Sequence, residues 1–417
     1  MQSYDVAIVG AGPGGLLAAL LLARSGVEVA LVEANSSFER AYRGETLTPG
    51  TQRIFSDLGL WDRVRALGGG DPWGIVACVR DRTYEIDLVP DPAKRIRQVA
   101  QPPLLDLLAG EARASGASVS MGTRMRSLLR ASNGARVSGI CVQQTGASAT
   151  TDALAARLVI AADGRFSIAR REAGIPLRET PVPYDLVWMS ASGAGRRVQV
   201  IADENEVFVA FPTTASGMQI GWLIDKGIYP NLRAHGLDWI RARVGRATAR
   251  ACEPVEPTIR SFDDLALLPT VSEIAPRWTA PGIVFIGDAA HPMSPVGGQG
   301  INVAIADAVV LTRRVAALLR DGAGDAQIDG ATAAFQAERL PGVTRIARQQ
   351  NLFPRVVRAL GPERTLAFLG PLAERLSKRR PLPAGLQDAI DRFLLGDPPV
   401  RADHGPWITP RPAAALP

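Results

Sequence analysis

Short apolar runs alternate with stretches of helical periodicity through the first 180 residues of the chain. The runs that predict buried strands lie at residues 4–9, 27–32 and 158–161, those that predict helices lie at residues 16–24, 49–58 and 102–114, and those that predict a β-hairpin lie at residues 119–129 and 136–142. Single strands that alternate with helices are typical of an α/β domain around a mostly parallel sheet.

From residue 181 to about residue 276 the apolar pattern changes to a period of two, which predicts an inserted antiparallel sheet with one covered face. Its expected strands lie at residues 185–191, 198–202, 206–211 and 218–224, before a helix at residues 237–245. The chain then returns to a parallel-type strand at residues 283–286 and to helices at residues 299–320 and 326–351. The expected units are therefore residues 1–180 and 277–396, which form one domain, the inserted residues 181–276, and an irregular tail at 397–417 that lies on the surface or is mobile.

A glycine motif follows the first predicted strand. Gly10, Gly12, Gly14 and Gly15 stand between that strand and a helix, in the G-x-G-x-x-G context of dinucleotide-binding folds. Gly10 allows a tight turn, Gly12 lets the backbone approach a pyrophosphate, and Gly15 lets helix and strand pack closely. The next strand ends on Glu33, which is placed to accept hydrogen bonds from an adenosine ribose.

The most informative stretch lies far from this motif, at residues 282–308. It predicts a strand that ends near Gly287 and Asp288, a loop rich in proline and glycine, and a helix that begins near Gln299. The first turn of such a helix offers backbone N–H groups and a positive dipole end to an anion. A third block, residues 158–170, predicts a strand, an Asp163-Gly164 turn and a helix capped by Ser167.

These three blocks, in this order, resemble those of the single-component flavoprotein aromatic hydroxylases, the p-hydroxybenzoate hydroxylase-like class A monooxygenases. The resemblance covers residues 4–350 in layout and is specific in the three blocks. It implies an α/β fold with a Rossmann-like FAD-binding domain, an inserted antiparallel β-sheet substrate domain and C-terminal helices.

The resemblance also implies roles for individual residues. Asp288 is expected to hold the ribityl chain of FAD, and Arg43 to lie near the phosphates. Gln101 is expected near the ribityl or adenosine end, and Asp163 and Arg170 are expected to support FAD and a passing coenzyme, although both could instead only cap and pair within their helix. The backbone N–H groups expected to face the flavin ring belong to Gly297, Gly298, Gln299, Gly300, Ile301 and Asn302, beside a wall formed by Pro292 and Pro295.

The implied reaction consumes NADH or NADPH and O2 and hydroxylates an aromatic or heteroaromatic molecule through a flavin C4a-hydroperoxide. Pro295, Gly298 and Gln219 are the expected catalytic residues. Gln219 and Trp222 alternate in phase, so at most one of them faces the flavin. Trp188, Phe211 and Trp222 are interpreted as core packing, and the absence of an evident Arg/Tyr pair for a benzoate carboxylate favours a neutral or larger, more apolar substrate.

Composition narrows the class of protein. The chain has 417 residues, 47 basic and 41 acidic, and a net charge of +6, but no basic run with interleaved aromatic residues, so nucleic-acid binding is not expected. Cys78, Cys141 and Cys252 form no C-x-x-C pair, which predicts a reduced, cytoplasmic protein without structural disulfides. No apolar run reaches 18 residues and no metal-ligand cluster is evident, so neither an integral membrane protein nor a metal site is expected. A monomer or a homodimer is expected.

Several alternatives remain open. His291 has the chemistry of a general base or of a buried structural residue. The segment Arg43-Gly-Glu-Thr-Leu47 is similar to one in flavin-dependent halogenases and in maturation flavoproteins, but the Trp-x-Trp-x-Ile-Pro segment of halogenases is absent. A dehydrogenase, an epoxidase or a Baeyer–Villiger enzyme is also compatible with the scaffold.

Overall fold

The computed structural model describes residues 2–39, 46–69, 74–87, 89, 91, 95–132, 134–145, 151–193, 195–213, 217–378, 382–396 and 398–408. Within them the chain forms twenty β-strands: β1 (Gln2–Val9), β2 (Val29–Val32), β3 (Thr46–Leu47), β4 (Ile75–Val79), β5 (Arg82–Ile86), β6 (Arg97–Gln98), β7 (Ser118–Ser120), β8 (Thr123–Arg130), β9 (Val137–Gln144), β10 (Asp152–Ala161), β11 (Arg178–Glu179), β12 (Tyr184–Ser192), β13 (Val198–Asp203), β14 (Glu206–Pro212), β15 (Met218–Asp225), β16 (Glu256–Pro257), β17 (Ala266–Leu268), β18 (Glu273–Ile274), β19 (Thr279–Ala280) and β20 (Ile283–Phe285).

The same residues form eleven α-helices: α1 (Pro13–Arg24), α2 (Pro49–Asp57), α3 (Trp61–Ala66), α4 (Gln101–Ala114), α5 (Ile168–Glu172), α6 (Tyr229–Ala234), α7 (Leu237–Thr248), α8 (Gln299–Arg320), α9 (Asp325–Leu360), α10 (Pro362–Lys378) and α11 (Ala384–Leu395). None of the helices in these residues is long and apolar enough to cross a membrane.

The first sheet has the strand order β19-β20-β10-β1-β2-β7, with β9 and β8 attached beside β10. Strands β20, β10, β1, β2 and β7 run parallel to their neighbours, as the alternation of strands and helices predicts. The apolar residues of β1 and of α1 are almost fully buried in one core with α4 and α8. Because parallel strands end at the same edge, Val9, Val32, Ala161 and Phe285 bring the glycine motif and the two Asp-containing blocks together.

The second sheet has the order β16-β12-β15-β14-β13-β4-β5, with β17 beside β12. Its pairs are antiparallel except for β13 and β4, which run parallel. The hairpin of β4 and β5 comes from residues 75–86, which the sequence assigned to the first domain. The expected boundary at residue 181 therefore does not separate the two sheets, because residues far apart along the chain pair in the second one.

The two faces of the second sheet have different neighbours. One face packs against α6 and α7 in a core that includes Phe208 and Trp222, whose rings stack 5.5 Å apart. On the other face α10 covers β4, β5 and β13, where Leu366 contacts Ala77 and Ala202.

Two expectations are wrong. Residues 398–408 do not lie loosely on the surface, because Val400, Ala402 and Trp407 are buried in the core of the first sheet. Cys78 and Cys252 form a disulfide, although the sequence predicted none. A sequence separation of 174 residues hides this pair from any reading of local spacing, and the pairing of β4 with β13 brings it together.

Candidate functional site

The glycine motif forms a tight turn at the edge where the parallel strands end. Gly10 has a φ of +100°, and a Cβ atom there would lie 2.5 Å from the carbonyl oxygen of Ala162. A Cβ atom at Gly15 would overlap the carbonyl oxygen of Gly10, which confirms close packing of helix and strand. Gly12 has no atom within 4 Å of its Cβ position, so its backbone is open to a ligand.

Gly14, which the sequence predicted to bind the cofactor, packs against the backbone of Ala304 in α8. A Cβ atom at this position would lie 2.9 Å from the carbonyl oxygen of Ala304 in α8. The missing side chain therefore lets α1 and α8 approach each other, and through them the glycine motif lies close to the helix that follows Asp288.

Glu33 is buried at the end of β2 and faces the glycine motif. Its Oε2 accepts the backbone N–H of Ala11 at 2.9 Å, and its Oε1 accepts the backbone and side-chain N–H groups of Asn35 at 2.9 and 2.6 Å. The carboxylate is thus fixed beside the turn where the sequence predicted an adenosine ribose.

The Asp-Gly block lies against the same turn. Asp163 Oδ2 accepts the N–H of Ala169 at 3.1 Å, whereas its Oδ1 is buried without a hydrogen-bond partner among the described residues. Burial raises the pKa of this carboxyl above its ordinary value, despite the hydrogen bonds at the start of α5. Ser167 caps the helix as predicted, since its Oγ accepts the N–H of Arg170 at 2.9 Å.

Arg170 connects the two Asp-containing blocks. Its buried guanidinium donates to the carbonyl oxygen of Ala289 at 2.7 Å and to that of Arg165 at 3.1 Å. The pairing thus extends beyond the helix, and Arg170 holds the backbone next to Asp288.

The Gly-Asp block places Asp288 at the start of α8. Asp288 is half-buried in a short 3-10 helix, and a Cβ atom at Gly300 would lie 3.9 Å from its Oδ1. Gly298 caps α8 with a φ of +61°, and a Cβ atom there would lie 3.0 Å from Thr46 Cβ. The first turn of the helix, which includes Gly300 and Ile301, presents backbone N–H groups beside the Asp288 carboxylate.

Asn302 contributes through its side chain, which the sequence did not predict. Its Oδ1 accepts the N–H of Thr48 at 2.9 Å, and its Nδ2 donates to the carbonyl oxygens of Thr46 and Gly298, both at 2.9 Å. Asn302 therefore fastens β3 to the start of α8.

Two further predicted residues have different outcomes. Gln101 begins α4 and is buried, and it follows β6, which pairs with β3 beside the start of α8. Arg43 lies outside the described residues.

His291 belongs to a buried ion network. Its Nε2 lies 2.7 Å from Asp307 Oδ2, which also accepts the N–H of Gly287 at 3.0 Å, while Arg339 Nε donates to Asp307 Oδ1 at 2.8 Å. Burial alone would raise the pKa of Asp307, but the charges and hydrogen bonds of His291 and Arg339 outweigh it and lower that pKa below 3.8. Trp278 covers the imidazole at 4.8 Å between ring centroids, so the geometry favours the structural role of His291.

The second sheet reaches the Gly-Asp block through Tyr184. Its hydroxyl lies 2.7 Å from Ser294 Oγ, one residue before Pro295, and burial raises the pKa of Tyr184 to about 12. Gln350 of α9 donates to the carbonyl oxygens of Ser294 and Val296 at 2.9 and 2.7 Å. The loop that contains Pro295 is thus held between β12 and α9.

Strand β12 continues from Tyr184 to Trp188 on the same face. Trp188 and Phe211 are half-buried and form an edge-to-face pair with centroids 5.2 Å apart. Gln219 lies on this face, whereas Trp222 packs in the opposite core with Phe208. The interpretation as core is therefore correct for Trp222, whereas Trp188 and Phe211 are only half-buried and pack on each other on the opposite face of the sheet.

The assembled residues fit FAD. The open backbone at Gly12 and the fixed carboxylate of Glu33 suit the pyrophosphate and the ribose. Asp163 Oδ1, which has no hydrogen-bond partner within the described part of the chain, lies by the same turn. Asp288 and the first turn of α8 supply a carboxylate for the ribityl hydroxyls and N–H donors for a ring that becomes anionic when reduced.

Comparisons with known proteins show the family to which the chain belongs. The model of a family described as "FAD binding domain" matches residues 3–350. The chain is 32% identical over 404 residues to 6-methylpretetramide 4-monooxygenase of Streptomyces rimosus. The match covers 95% of this chain and 93% of that protein.

Two solved structures share the fold. PqsL of P. aeruginosa in complex with 2-aminobenzoylacetate has a TM-score of 0.72 at 23% identity and covers 86% of this chain and 97% of its own. The p-nitrophenol 4-monooxygenase PnpA of Pseudomonas putida DLL-E4 has a TM-score of 0.74 at 18% identity. The match covers 95% of this chain and 98% of the PnpA chain.

Proposed function

Because this chain belongs to the FAD binding domain family and is a flavoprotein monooxygenase, we propose that it hydroxylates a small aromatic or heteroaromatic molecule at the expense of NADH or NADPH. In the proposed reaction, substrate Ar–H, NAD(P)H, H⁺ and O2 give Ar–OH, NAD(P)⁺ and water. One oxygen atom enters the ring and the other is reduced to water.

The observation that carries this proposal is the hydrogen bond between Tyr184 and Ser294. It joins an aromatic face of the second sheet to the loop before α8, where Asp288 and the helix N-terminus suit the flavin. A flavin held there would have an aromatic surface on the far side of the loop. The similarity to the S. rimosus monooxygenase supports the same reaction class.

Bound FAD would supply the redox chemistry, namely electron uptake from the coenzyme and oxygen transfer to the substrate. The chain supplies binding and orientation. Glu33 and the turn at Gly12 are proposed to hold the adenosine end, and Asp288 the ribityl chain. Pro295 and Gly298 shape the loop beside the ring, and the first turn of α8 stabilises negative charge that develops there.

The first test is to purify the full chain, record the flavin spectrum, and follow NADH and NADPH oxidation with and without a panel of phenols and quinolines. We expect bound or bindable FAD, oxidation that an aromatic compound stimulates, and a product that carries one atom of isotopically labelled O2. A chain that binds no FAD contradicts the whole proposal. Oxidation that no aromatic compound stimulates, with no labelled product, contradicts the proposed substrate.

The second test addresses the site itself. Asp288→Ala is expected to lower FAD affinity by about tenfold or more, because a carboxylate hydrogen bond to a hydroxyl contributes about 1.5–3 kcal/mol. FAD retained after desalting and a titration of the flavin-free protein measure the change. Asp238→Ala removes an exposed carboxylate in the first turn of α7 and serves as the control, which should retain FAD. Equal FAD affinity in the two variants would refute the role of Asp288.

A further inference from the structure

The face of the second sheet beside the Ser294 loop has an aromatic floor that one glycine makes possible. Gly221 of β15 pairs with Trp188 of β12, and a Cβ atom at Gly221 would lie 2.8 Å from Trp188 Cζ3. The indole therefore lies across the neighbouring strand, where any larger residue would displace it. Phe211 of β14 meets its edge, so aromatic surface spans three strands, about 10 Å.

This floor carries no charge. On this face the side chains from Leu186 to Ser190 on β12, from Val207 to Phe211 on β14, and from Gln219 to Leu223 on β15 are all neutral. Among the residues of β12, β14 and β15 on this face, Asp225 at the end of β15 is charged, and it pairs with Arg358 at 2.7 Å. The floor itself thus offers no cation that would compensate the desolvation of a substrate carboxylate.

The floor includes an amide side chain with unused hydrogen-bonding capacity. Gln219 is half-buried, lies opposite Phe211 in the strand register, and makes no side-chain hydrogen bond among the described residues. A half-buried amide can donate to and accept from a ligand hydroxyl or carbonyl, and it gains most when that ligand displaces water.

We propose that Trp188, Phe211 and Gln219 determine substrate specificity, and that the substrate is a neutral, fused-ring phenol or hydroxyquinone rather than a benzoate-type anion. This inference rests on the proposed function. The rings of the substrate lie on the Trp188 indole and against the edge of the Phe211 ring. The Gln219 amide forms a hydrogen bond with a hydroxyl or carbonyl group of the substrate, and this bond determines which carbon atom faces the flavin loop. The floor is wider than a single benzene ring, which favours two or more fused rings.

The test uses the FAD-loaded full chain and three probes: 2-naphthol, 6-hydroxy-2-naphthoate and phenol. Binding is followed by isothermal titration calorimetry, independently of turnover. We expect 2-naphthol to bind about tenfold or more tightly than the other two probes, which corresponds to one aromatic contact or one uncompensated charge. Trp188→Ala should weaken 2-naphthol binding by about tenfold. Trp239→Ala, which changes a tryptophan on the far side of the sheet, should not weaken it.

Gln219→Leu keeps the side-chain size and tests the amide separately. It should weaken 2-naphthol but leave naphthalene unchanged, and it should reduce the fraction of oxidised coenzyme that yields hydroxylated product. Trp188→Phe preserves an aromatic ring should Trp188→Ala fail to fold, and should fall between wild type and alanine.

Each failure has a distinct meaning. Tighter binding of 6-hydroxy-2-naphthoate or of phenol than of 2-naphthol would overturn the inferred substrate class. Unchanged 2-naphthol affinity in the Trp188 variants and in Gln219→Leu would show that the floor does not bind the substrate. In both cases FAD binding and aromatic-stimulated coenzyme oxidation would survive, whereas loss of those two properties in the wild-type protein would refute the proposed function instead.

Discussion

The carboxylate of Asp307 holds the backbone of Gly287, the residue that precedes Asp288. It is fully buried, and it accepts hydrogen bonds from Gly287, Arg339 and His291 at the end of β20. Removing one partner of a buried ion pair leaves the other charge without compensation, which costs more than the pair itself contributes. The role of His291 follows from the same contacts, because its Nε2 is engaged with Asp307 rather than directed toward a substrate.

Asp307→Asn is expected to lower the free energy of unfolding by about 3–5 kcal/mol, because it leaves Arg339 buried without a counter-charge. Urea denaturation of the flavin-free protein measures the change. Asp321→Asn, at an exposed carboxylate just after α8, should leave stability nearly unchanged. The double variant Asp307→Asn/Arg339→Gln should recover part of the loss. A single variant as stable as Asp321→Asn would contradict the structural role of the network.

Asp307 also predicts a dependence of stability on pH. The folded-state pKa is depressed below 3.8, so the stabilisation from the ionised carboxylate is present above the unfolded-state pKa and is lost as pH falls through the folded value. Wild type should therefore lose stability below about pH 4 more steeply than Asp307→Asn. Parallel curves for the two proteins in urea titrations across this range would exclude Asp307 as the source.

At the scale of elements, the start of α8 depends on a glycine in a left-handed conformation. Gly298→Ala combines a φ of +61° with a Cβ atom 3.0 Å from Thr46 Cβ. We expect a loss of stability of about 1–3 kcal/mol and weaker FAD binding, because the first turn of α8 must shift. Gly330→Ala is the control, since Gly330 lies inside α9 with open space around its Cβ position. That variant should be neutral or more stable by up to about 1 kcal/mol, with FAD binding unchanged. Equal effects of the two substitutions would contradict the special backbone at Gly298.

The elements that the sequence predicted best are those with a strong local pattern. Helix α8 begins and ends at residues 299 and 320 as predicted, because its apolar face repeats with helical spacing and glycines precede it. Helix α9 extends past the predicted residue 351 to Leu360 despite Pro354, which lies inside the helix. The hairpin of β4 and β5 was not predicted, since its register depends on β13, more than a hundred residues later.

The same distinction applies to the site. The placement of Gly10, Gly12 and Glu33 around one turn could be predicted because it follows from a local motif and its neighbouring strands. The contacts of Tyr184 with Ser294 and of Asn302 with Thr48 join residues 110 and 254 positions apart, which no local pattern encodes. The sequence does contain a signal for Asp307, because it is a lone carboxylate within the apolar run of α8. Its partners Arg339, Gly287 and His291 explain why burial of this carboxylate is tolerated there.

At the scale of the whole molecule, the proposed FAD site lies at the edge of the first sheet, the proposed substrate floor lies on the second, and the disulfide belongs to the second. Cys78 of β4 faces the core between the second sheet and α7, and its partner Cys252 lies just after that helix. The residues proposed to hold FAD belong to the first sheet and to the start of α8. Reduction should therefore affect stability without a direct effect on FAD binding.

Cys252→Ser, or treatment of wild type with dithiothreitol, is expected to lower the free energy of unfolding by up to about 5 kcal/mol, because the bond closes a loop of 174 residues in the unfolded chain. Urea denaturation with and without reductant measures the loss, and peptide mapping under non-reducing conditions identifies the bond. Cys141→Ser is the control, since Cys141 is a free thiol in β9 and its variant should keep the full response to reductant. FAD affinity should be equal in all three proteins under native conditions. Wild-type stability that does not respond to dithiothreitol, together with free thiols at Cys78 and Cys252 after aerobic purification, would show that the disulfide does not form in solution.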